Sequence, residues 1–169
     1  YTPPDTIAPA AITDLTLSNP SDSAMTVSWT APGDDNNSGI AASYDLRYST
    51  SLVTAGNFDA ATAVTGEPTP LVAGTPQSMS VIGLSPSTTY FFAIKTSDEV
   101  PNTSTISNVP SLATTATPDT TAPAAITDLA ASNPSNSAIT LTWTSPGDDD
   151  NSGTATSYTI RYSTSNITD

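Results

Sequence analysis

The stretch SNPSDSAMTVSWTAPGDDNNSG (18–39) determines how this chain is organised, because it returns 114 residues later as SNPSNSAITLTWTSPGDDDNSG (132–153). The alignment at this offset runs without a gap from 5–55 onto 119–169, and 35 of the 51 paired positions carry the same residue. A period of this length is typical of whole domains in tandem and not of a solenoid built from small units. The sequence therefore predicts a tandem repeat of 114 residues.

The repeat divides the 169 residues into three parts. We expect 1–4 to be the tail or linker of a preceding repeat and 5–118 to be one complete domain. We expect 119–169 to be the first half of a second domain, with its first three strands. The simplest interpretation is a window cut from a longer array. The alternative is a subunit whose half domain is completed by a neighbouring chain.

In either case the half domain has hydrophobic side chains that need a cover. Its three strands would present one apolar face without the facing strands of the complete repeat. The residues of this face are Ile139, Leu141, Trp143, Tyr158, Ile160 and Tyr162. We expect further strands, from the same chain or from a neighbour, to cover them.

The charge balance limits the classes of partner. The chain has 16 acidic and 3 basic side chains and a net charge of −13. Nucleic acids and anionic membranes attract clustered Lys and Arg, so we expect neither nucleic-acid binding nor membrane insertion. Histidine and cysteine are absent, which removes the commonest general base and the thiolate nucleophile. We therefore expect a chain that is not an enzyme.

Short runs of alternating hydrophobicity predict an all-β fold. The predicted strands include AMTVSW (24–29), SYDLRYS (43–49), SMSV (78–81), YFFAIKT (90–96) and a last run at 105–116. Clusters of Gly, Pro, Asn, Asp and Ser separate these runs, as turns do. Short strands divided by regular turn signals favour a seven-stranded, two-sheet β-sandwich.

Several residues in this order and spacing also carry a family resemblance. They are Pro9, Leu15, Trp29 in VSWTAP, Tyr44 and Tyr48 in YDLRY, and the turn LSPSTTY (84–90). In this arrangement the chain resembles tandem bacterial fibronectin type III domains. The resemblance implies a buried Trp29 and a corner hydrogen bond from Tyr90. It also implies extra residues within 51–77, because 114 residues exceed the usual size of the family.

Acidic residues are expected to meet at one end of the sandwich. Consecutive strands alternate in direction, so the N-terminal linker and the loops after the second and sixth strands share one pole. The candidate ligands are Asp5, Asp34, Asp35, Asn37 and Asp98 in the first repeat, and Asp119, Asp148, Asp149, Asp150 and Asn151 in the second. Calcium takes roughly 6–8 oxygen ligands of these types, which predicts calcium sites that stiffen the junctions. The alternative is that Asp, Asn and Gly form ordinary solvated turns.

Three functions remain open at this point. The first is a structural extracellular array, in which domains stack end to end as a stalk, spacer or filament and associate with neighbouring repeats or subunits. The second is an accessory module of a large secreted polysaccharide-active enzyme. The third is an adhesin module at the cell surface. Aromatic residues suited to stacking on sugars are few, namely Tyr1, Phe58 and Phe91.

Overall fold

The computed structural model describes residues 4–100 and 102–167. The expectation for 1–4 therefore falls almost entirely outside the described residues. Contacts divide the chain into a first unit, Tyr1–Pro118, and a second unit, Asp119–Asp169. Within the described residues, no helix has the length and apolar character needed to cross a membrane.

The fold is all-β, as the alternating pattern predicts. The strands are β1 (Thr16–Ser18), β2 (Ala24–Thr30), β3 (Ser43–Ser49), β4 (Thr62–Ala63), β5 (Pro76–Ile82), β6 (Thr89–Ser97), β7 (Ser111–Ala113), β8 (Ala130–Ser132) and β9 (Thr140–Thr142). In the first unit one antiparallel sheet has the order β1-β2-β5 and the other the order β4-β3-β6-β7. In the second unit β8 pairs with β9.

The core of the first unit lies between its two sheets. Alternate residues of β2, β3 and β6 point inward, as the alternating hydrophobicity of these runs predicts. The buried residues of these strands include Met25, Val27, Trp29, Tyr44, Leu46, Tyr90, Phe92 and Ile94. Trp29 packs edge-on against Tyr44, with 5.2 Å between the ring centroids. The interior position of Trp29 is therefore confirmed.

Tyr90 forms the corner hydrogen bond that the resemblance implies. Its hydroxyl oxygen accepts a hydrogen bond from the backbone N–H of Ser85 at 2.9 Å. A second connection joins two segments that are distant in the sequence. The side-chain amide of Asn108 accepts from Leu15 N–H and donates to Leu15 C=O, both at 2.9 Å. These bonds tie the first strand region to the last one.

The last predicted strand is shorter than expected. Only Ser111–Ala113 form β7, although the alternation favoured 105–116. The hydroxyl oxygens of Ser104 and Ser107 accept the backbone N–H groups of Thr96 and Ile94 at 2.9 and 3.0 Å. These side chains take the place of ladder carbonyls, so residues before β7 lie beside β6 without forming a regular strand.

The segment between β3 and β5 builds a second small core on the outer face of the four-stranded sheet. Phe58, in the 3₁₀ turn Phe58–Ala60, is fully buried against Val53 and Ala93. Arg47 and Lys95 lie over its ring, at 5.2 and 4.4 Å from the centroid. The suggestion that Phe58 is exposed for sugar stacking is therefore wrong.

The other two residues expected to suit sugar stacking are Phe91 and Tyr1. Phe91 is half-buried beside the second core. Tyr1 lies outside the described residues.

Candidate cation site

The acidic loop after β2 is held by its own backbone. Gly33 N–H donates to Asn36 C=O at 2.9 Å, and Ser38 N–H donates to Asp35 C=O at 3.0 Å. Asp34 N–H donates to the carbonyl of Ser38 at 2.6 Å. A Cβ at Gly33 would lie 2.1 Å from the backbone nitrogen of Ser38, so this close approach requires glycine. The glycine at the start of the repeated phrase therefore has a local structural reason.

The same loop also fastens the N-terminal linker. Asn36 has a left-handed φ of 55°, which asparagine tolerates better than most residues. Its carbonyl accepts Ala10 N–H at 2.9 Å, and its N–H donates to Ala8 C=O at 3.1 Å. Asp5, at the start of this linker, accepts the N–H of Ile7 at 3.0 Å. The linker and the acidic loop thus meet at one pole, as the strand directions indicate.

Two carboxylates at this pole, those of Asp34 and Asp35, have a raised pKa. Loss of surrounding water raises the pKa of Asp34, and the adjacent Glu99 carboxylate raises it further. Loss of water likewise raises the pKa of Asp35, followed by the charges of Asp5 and Glu99. Each effect disfavours the ionised form. Binding of a proton or a cation would lower the repulsion between these carboxylates in the folded unit.

One oxygen at this pole has no partner. Asp34 Oδ1 is buried and lacks a hydrogen-bond partner among the described residues. A buried carboxylate oxygen without a donor is costly, and a cation is one group that satisfies it. Within the described residues, however, no three acidic side chains form a ready group of metal ligands. The carboxylates stand in pairs, Asp34 with Glu99 and Asp35 with Asp5.

One of the predicted ligands, Asp98, has another role in the first unit. Asp98 is buried, and its carboxylate accepts hydrogen bonds from Val100 N–H, Asn102 N–H and the Asn102 side chain at 2.8–3.0 Å. It therefore holds the loop after β6 in shape. Asn37 lines a shallow groove with Thr30 and Gly74.

Glu99 is the acidic neighbour that the ligand prediction omitted. It follows Asp98 directly in the sequence. The strand-direction argument that placed Asp98 at this pole places Glu99 there as well.

The second unit repeats this loop almost atom for atom. Asp148 N–H donates to Ser152 C=O at 2.7 Å, and Gly147 N–H donates to Asp150 C=O at 3.0 Å. The charge of Asp119 is the main cause that raises the pKa of Asp149, with Asp148 and Asp150 adding to it. These acidic residues are therefore neighbours. Asn151 is exposed.

These features define a class of protein. Two antiparallel sheets with an interior tryptophan and a tyrosine corner are the architecture of an immunoglobulin-like sandwich module. The sequence profile described as Fibronectin type III domain matches residues 10–109, which is more than half of the chain. The chain belongs to the fibronectin type III domain family.

Two relatives align with nearly the whole chain. Chitinase A1 of Niallia circulans is 32% identical over 174 aligned positions, which cover 98% of this chain and 22% of the relative. Exoglucanase B of Cellulomonas fimi is 30% identical over 154 positions, which cover 90% of this chain and 12% of the relative. The chain thus spans less than a quarter of the length of either relative.

A solved structure described as the FN1-FN3 domains of chicken CNTN1 is also similar to this chain. The two are 24% identical, and the match covers 80% of this chain and 42% of that one. The TM-score is 0.48.

Proposed function

We propose that the chain is a structural module of an extracellular or cell-surface protein, in which 114-residue repeats stack end to end as a stalk, spacer or filament. In this proposal 5–118 is one complete seven-stranded domain and 119–169 begins the next. The module has no catalytic activity of its own and associates with neighbouring repeats or subunits.

One observation carries this proposal: the chain enters and leaves the first unit at opposite ends of its sandwich. The entering linker is bonded to Asn36, which follows β2. The leaving segment is bonded at Thr115, whose N–H donates to Ser21 C=O at 2.9 Å and whose C=O accepts Ser87 N–H at 3.0 Å. Ser21 precedes β2, so entry and exit are separated by the length of that strand. Entry and exit at opposite ends of a domain are what an end-to-end array of copies requires.

Small-angle scattering tests the extension. Polypeptides with residues 5–118 once, twice and three times should gain roughly 35–45 Å in maximum dimension per copy, from strands of about 3.3 Å per residue plus loops. A compact particle whose length grows far less than this per copy contradicts the spacer. The single copy serves as the control for folding.

We further propose that calcium binds the acidic pole and stiffens the junction. The unpartnered Asp34 Oδ1 and the adjacent Glu99 support this, since calcium accepts carboxylate oxygens from separate loops. Asp35 with Asp5, and Asp149 with Asp119, are equivalent pairs in the two repeats. Because the acids stand in pairs and not in a closed cage, we expect a weak site of about 10⁻⁴–10⁻³ M, as in other extracellular modules.

Calcium titration followed by calorimetry and thermal melting tests this site. The double variant Asp34→Asn, Glu99→Gln should lose the calcium-dependent rise in melting temperature. The matched control is Asp22→Asn, since Asn136 already occupies this place in the second repeat. Equal calcium responses in the double variant and the control contradict the site, and a solvated acidic turn then remains.

A second candidate function is favoured by the comparisons. The two enzymes match this chain over 98% and 90% of its length but over only 22% and 12% of their own. This supports an accessory module that contacts polysaccharide as part of a secreted polysaccharide-active enzyme. Co-sedimentation with chitin and cellulose separates the candidates. A pure spacer stays in the supernatant, whereas a binding module is depleted in proportion to polymer surface.

A further inference from the structure

One strand at the border of the three-stranded sheet has a long free edge. β5 ends the order β1-β2-β5, so it has a neighbouring strand on one side only. Its pairing with β2 runs over seven residues, from Thr30 with Pro76 to Ala24 with Ile82. The other border strands of the first unit are shorter, since β1 and β7 have three residues each and β4 has two. Among the described strands, β5 therefore has the longest unpaired edge.

The register shows which backbone groups of β5 point away from β2. Ala31 N–H donates to Thr75 C=O at 2.9 Å, directly before the first pair of the ladder. In an antiparallel ladder, residues that bond to the neighbouring strand alternate with residues that do not. The odd positions of β5 therefore bond to β2. The N–H and C=O groups at the even positions after the first residue point outward, namely those of Ser78, Ser80 and Ile82. Among the described residues, no loop or side chain bonds to these outward groups.

The free edge is uncharged in a strongly acidic chain. Residues 68–94 contain no Asp, Glu, Lys or Arg, whereas the whole chain has a net charge of −13. Proteins usually protect a long border strand with a charged side chain, a proline within the strand, a bulge or a covering loop. β5 has a proline only at its first residue, and Ser78 and Ser80 are exposed. Copies of an acidic chain repel one another least along a neutral surface, so this edge suits a second copy.

An apolar groove lies beside the end of this edge. Its volume is about 210 Å³, and its lining includes Tyr48, Val64 and Ile82. Ile82 is 76% exposed, more than any other large hydrophobic side chain in the described part of the first unit. An isoleucine on an outward-pointing position of a border strand gains from a neighbouring strand that removes it from water.

The second unit shows how much a strand of this repeat depends on backbone pairing. SYTIRYS (157–163) differs from SYDLRYS (43–49) at two positions, yet only the latter is a strand. The expectation of a third strand in the second unit is therefore wrong within the described residues, because β3 depends on its partners β6 and β4. Pairing between backbones thus contributes much of the order of a strand in this chain.

We propose that two copies of this chain pair antiparallel along β5, so that their three-stranded sheets join into one continuous sheet. Ser80 of one copy lies opposite Ser80 of the other, and Ser78 of each lies opposite Ile82 of the other. This is the register that pairs all the outward N–H groups, and its two-fold symmetry lets one edge serve both copies. Backbone hydrogen bonds supply the recognition, as in strand addition to a sheet edge.

This association joins copies side by side, and it rests neither on end-to-end stacking nor on calcium. A contact along one strand edge is smaller than the roughly 1,200–2,000 Å² of a stable interface, so we expect a weak dimer with a dissociation constant of about 1 mM. Acidic residues outside the edge oppose it. Dimerisation should therefore become stronger as salt screens their repulsion, whereas a dimer held by ion pairs would become weaker.

Cysteine cross-linking tests the register, because the chain has no cysteine of its own. In the proposed pair the two Cα atoms of residue 80 lie about 5.5 Å apart, within the reach of a disulfide. The Cα atoms of residue 78 lie roughly 14 Å apart, beyond that reach. Ser80→Cys should therefore give at least about tenfold more cross-linked dimer than the matched control Ser78→Cys, which is on the same strand and face.

Both cysteine variants of the 169-residue chain are equilibrated in a glutathione redox buffer with chelator and about 0.5 M salt, which screens the acidic repulsion. The mass of the products under denaturing conditions measures the dimer. A large excess of dimer for Ser80→Cys supports the proposal. Equal cross-linking of the two variants overturns it, since random collision then accounts for the dimer.

Residue-resolved amide exchange supplies a second arm on the unaltered chain. Between about 0.05 and about 1 mM chain, the amides of Ser78, Ser80 and Ile82 should slow about twofold or more, in proportion to the fraction of paired copies. Ser80→Pro removes one outward N–H without removing a bond to β2, and it should abolish this slowing at Ser78 and Ile82. Exchange independent of concentration in the unaltered chain overturns the proposal. Slowing that persists in Ser80→Pro also overturns it, because another occupant or another surface is then involved.

Discussion

The acidic loops of the two units have the same backbone hydrogen bonds, whereas only one of the two corresponding hydrophobic segments forms a strand. Residues 33–38 and 147–152 keep the same backbone hydrogen bonds, whether or not a complete sandwich surrounds them. Residues 43–49 form a strand, whereas the nearly identical 157–163 do not. The loop is stabilised by bonds within about five residues and to the nearby linker. The strand is stabilised by β6, more than forty residues further along the chain, and by the short β4.

The difference shows which parts of this repeat are stabilised by contacts between residues close in sequence. The β1–β2 hairpin has a counterpart in β8–β9 with the same register, since Ala130 pairs with Thr142 as Thr16 pairs with Ser28. A short antiparallel pair of this kind forms from neighbouring sequence. The two-sheet core forms only when the second half of the repeat is present.

The largest expected effect comes from the two tryptophans. Trp29→Ala should lower the free energy of unfolding of the first unit by about 3–5 kcal/mol, because a large buried side chain is removed. Trp143→Ala, at a half-exposed site, should change the stability of the second unit by about 1 kcal/mol or less. Urea unfolding followed by circular dichroism and hydrogen exchange measures both. Equal losses in the two variants would contradict the comparison between a buried and a half-exposed tryptophan.

Glycine substitutions test the loop itself. Gly33→Ala and Gly147→Ala place a Cβ at 2.1 and 2.0 Å from the facing serine backbone. Each should destabilise its loop by about 1–3 kcal/mol, the usual cost of overpacking. Gly66→Ala is the control, since it has a positive φ of 85° but no atom within 4 Å, and should cost about 1 kcal/mol. Amide exchange at Ser38 and Ser152 reports the outcome, and a loop unaffected by either alanine would show that the close approach is not required.

A smaller effect is expected at the corner. Tyr90→Phe removes the acceptor for Ser85 N–H and keeps the ring in the core. The free energy of unfolding of the first unit should fall by about 1 kcal/mol, the net value of one hydrogen bond. Tyr162→Phe, on the fully open side, is the matched control and should be neutral. A neutral Tyr90→Phe would show that the corner bond does not contribute.

The smallest effect concerns pH. The pKa of Asp34 and of Asp35 is raised in the folded unit, so the folded state holds protons more tightly than the unfolded chain. This contribution to stability is present below the unfolded carboxyl pKa of about 3.9 and is lost as pH rises through the folded pKa. In chelator and low salt, this contribution should raise the melting temperature of the wild type, relative to Asp34→Asn, as pH falls from 7 toward 4. Parallel pH profiles for the wild type and Asp34→Asn would contradict it.

Much of the first unit could be predicted because its strands alternate strictly. Met25, Val27 and Trp29 face inward as their spacing of two requires. The last strand was overestimated because the hydroxyl of Ser107 replaces a carbonyl in pairing with β6, which no alternation reveals. Phe58 was assigned to the surface because its burial depends on an insertion that folds back over Lys95. Such contacts are set by tertiary structure and leave no local pattern.

The candidate site was predictable in position but not in detail. Strand direction alone places the linker, the acidic loop and the loop after β6 at one pole. It does not reveal that Asp98 is used to hold its own loop or that the charge of Glu99 raises the pKa of Asp34 more than the charge of Asp98 does. Which of the two neighbouring carboxylates accepts the backbone N–H groups of the loop depends on the folded conformation of that loop. The sequence pattern does not show it.

Native-state hydrogen exchange of the unaltered 169-residue chain tests most directly whether the loop is local and the strand is not. In chelator, the amides of Ser38 and Ser152 should show similar protection, since both donate to the carbonyl three residues earlier. The amides of 43–49 should exchange far more slowly than those of 157–163. Equal protection of the two segments in dilute solution, with no added partner, would contradict the account.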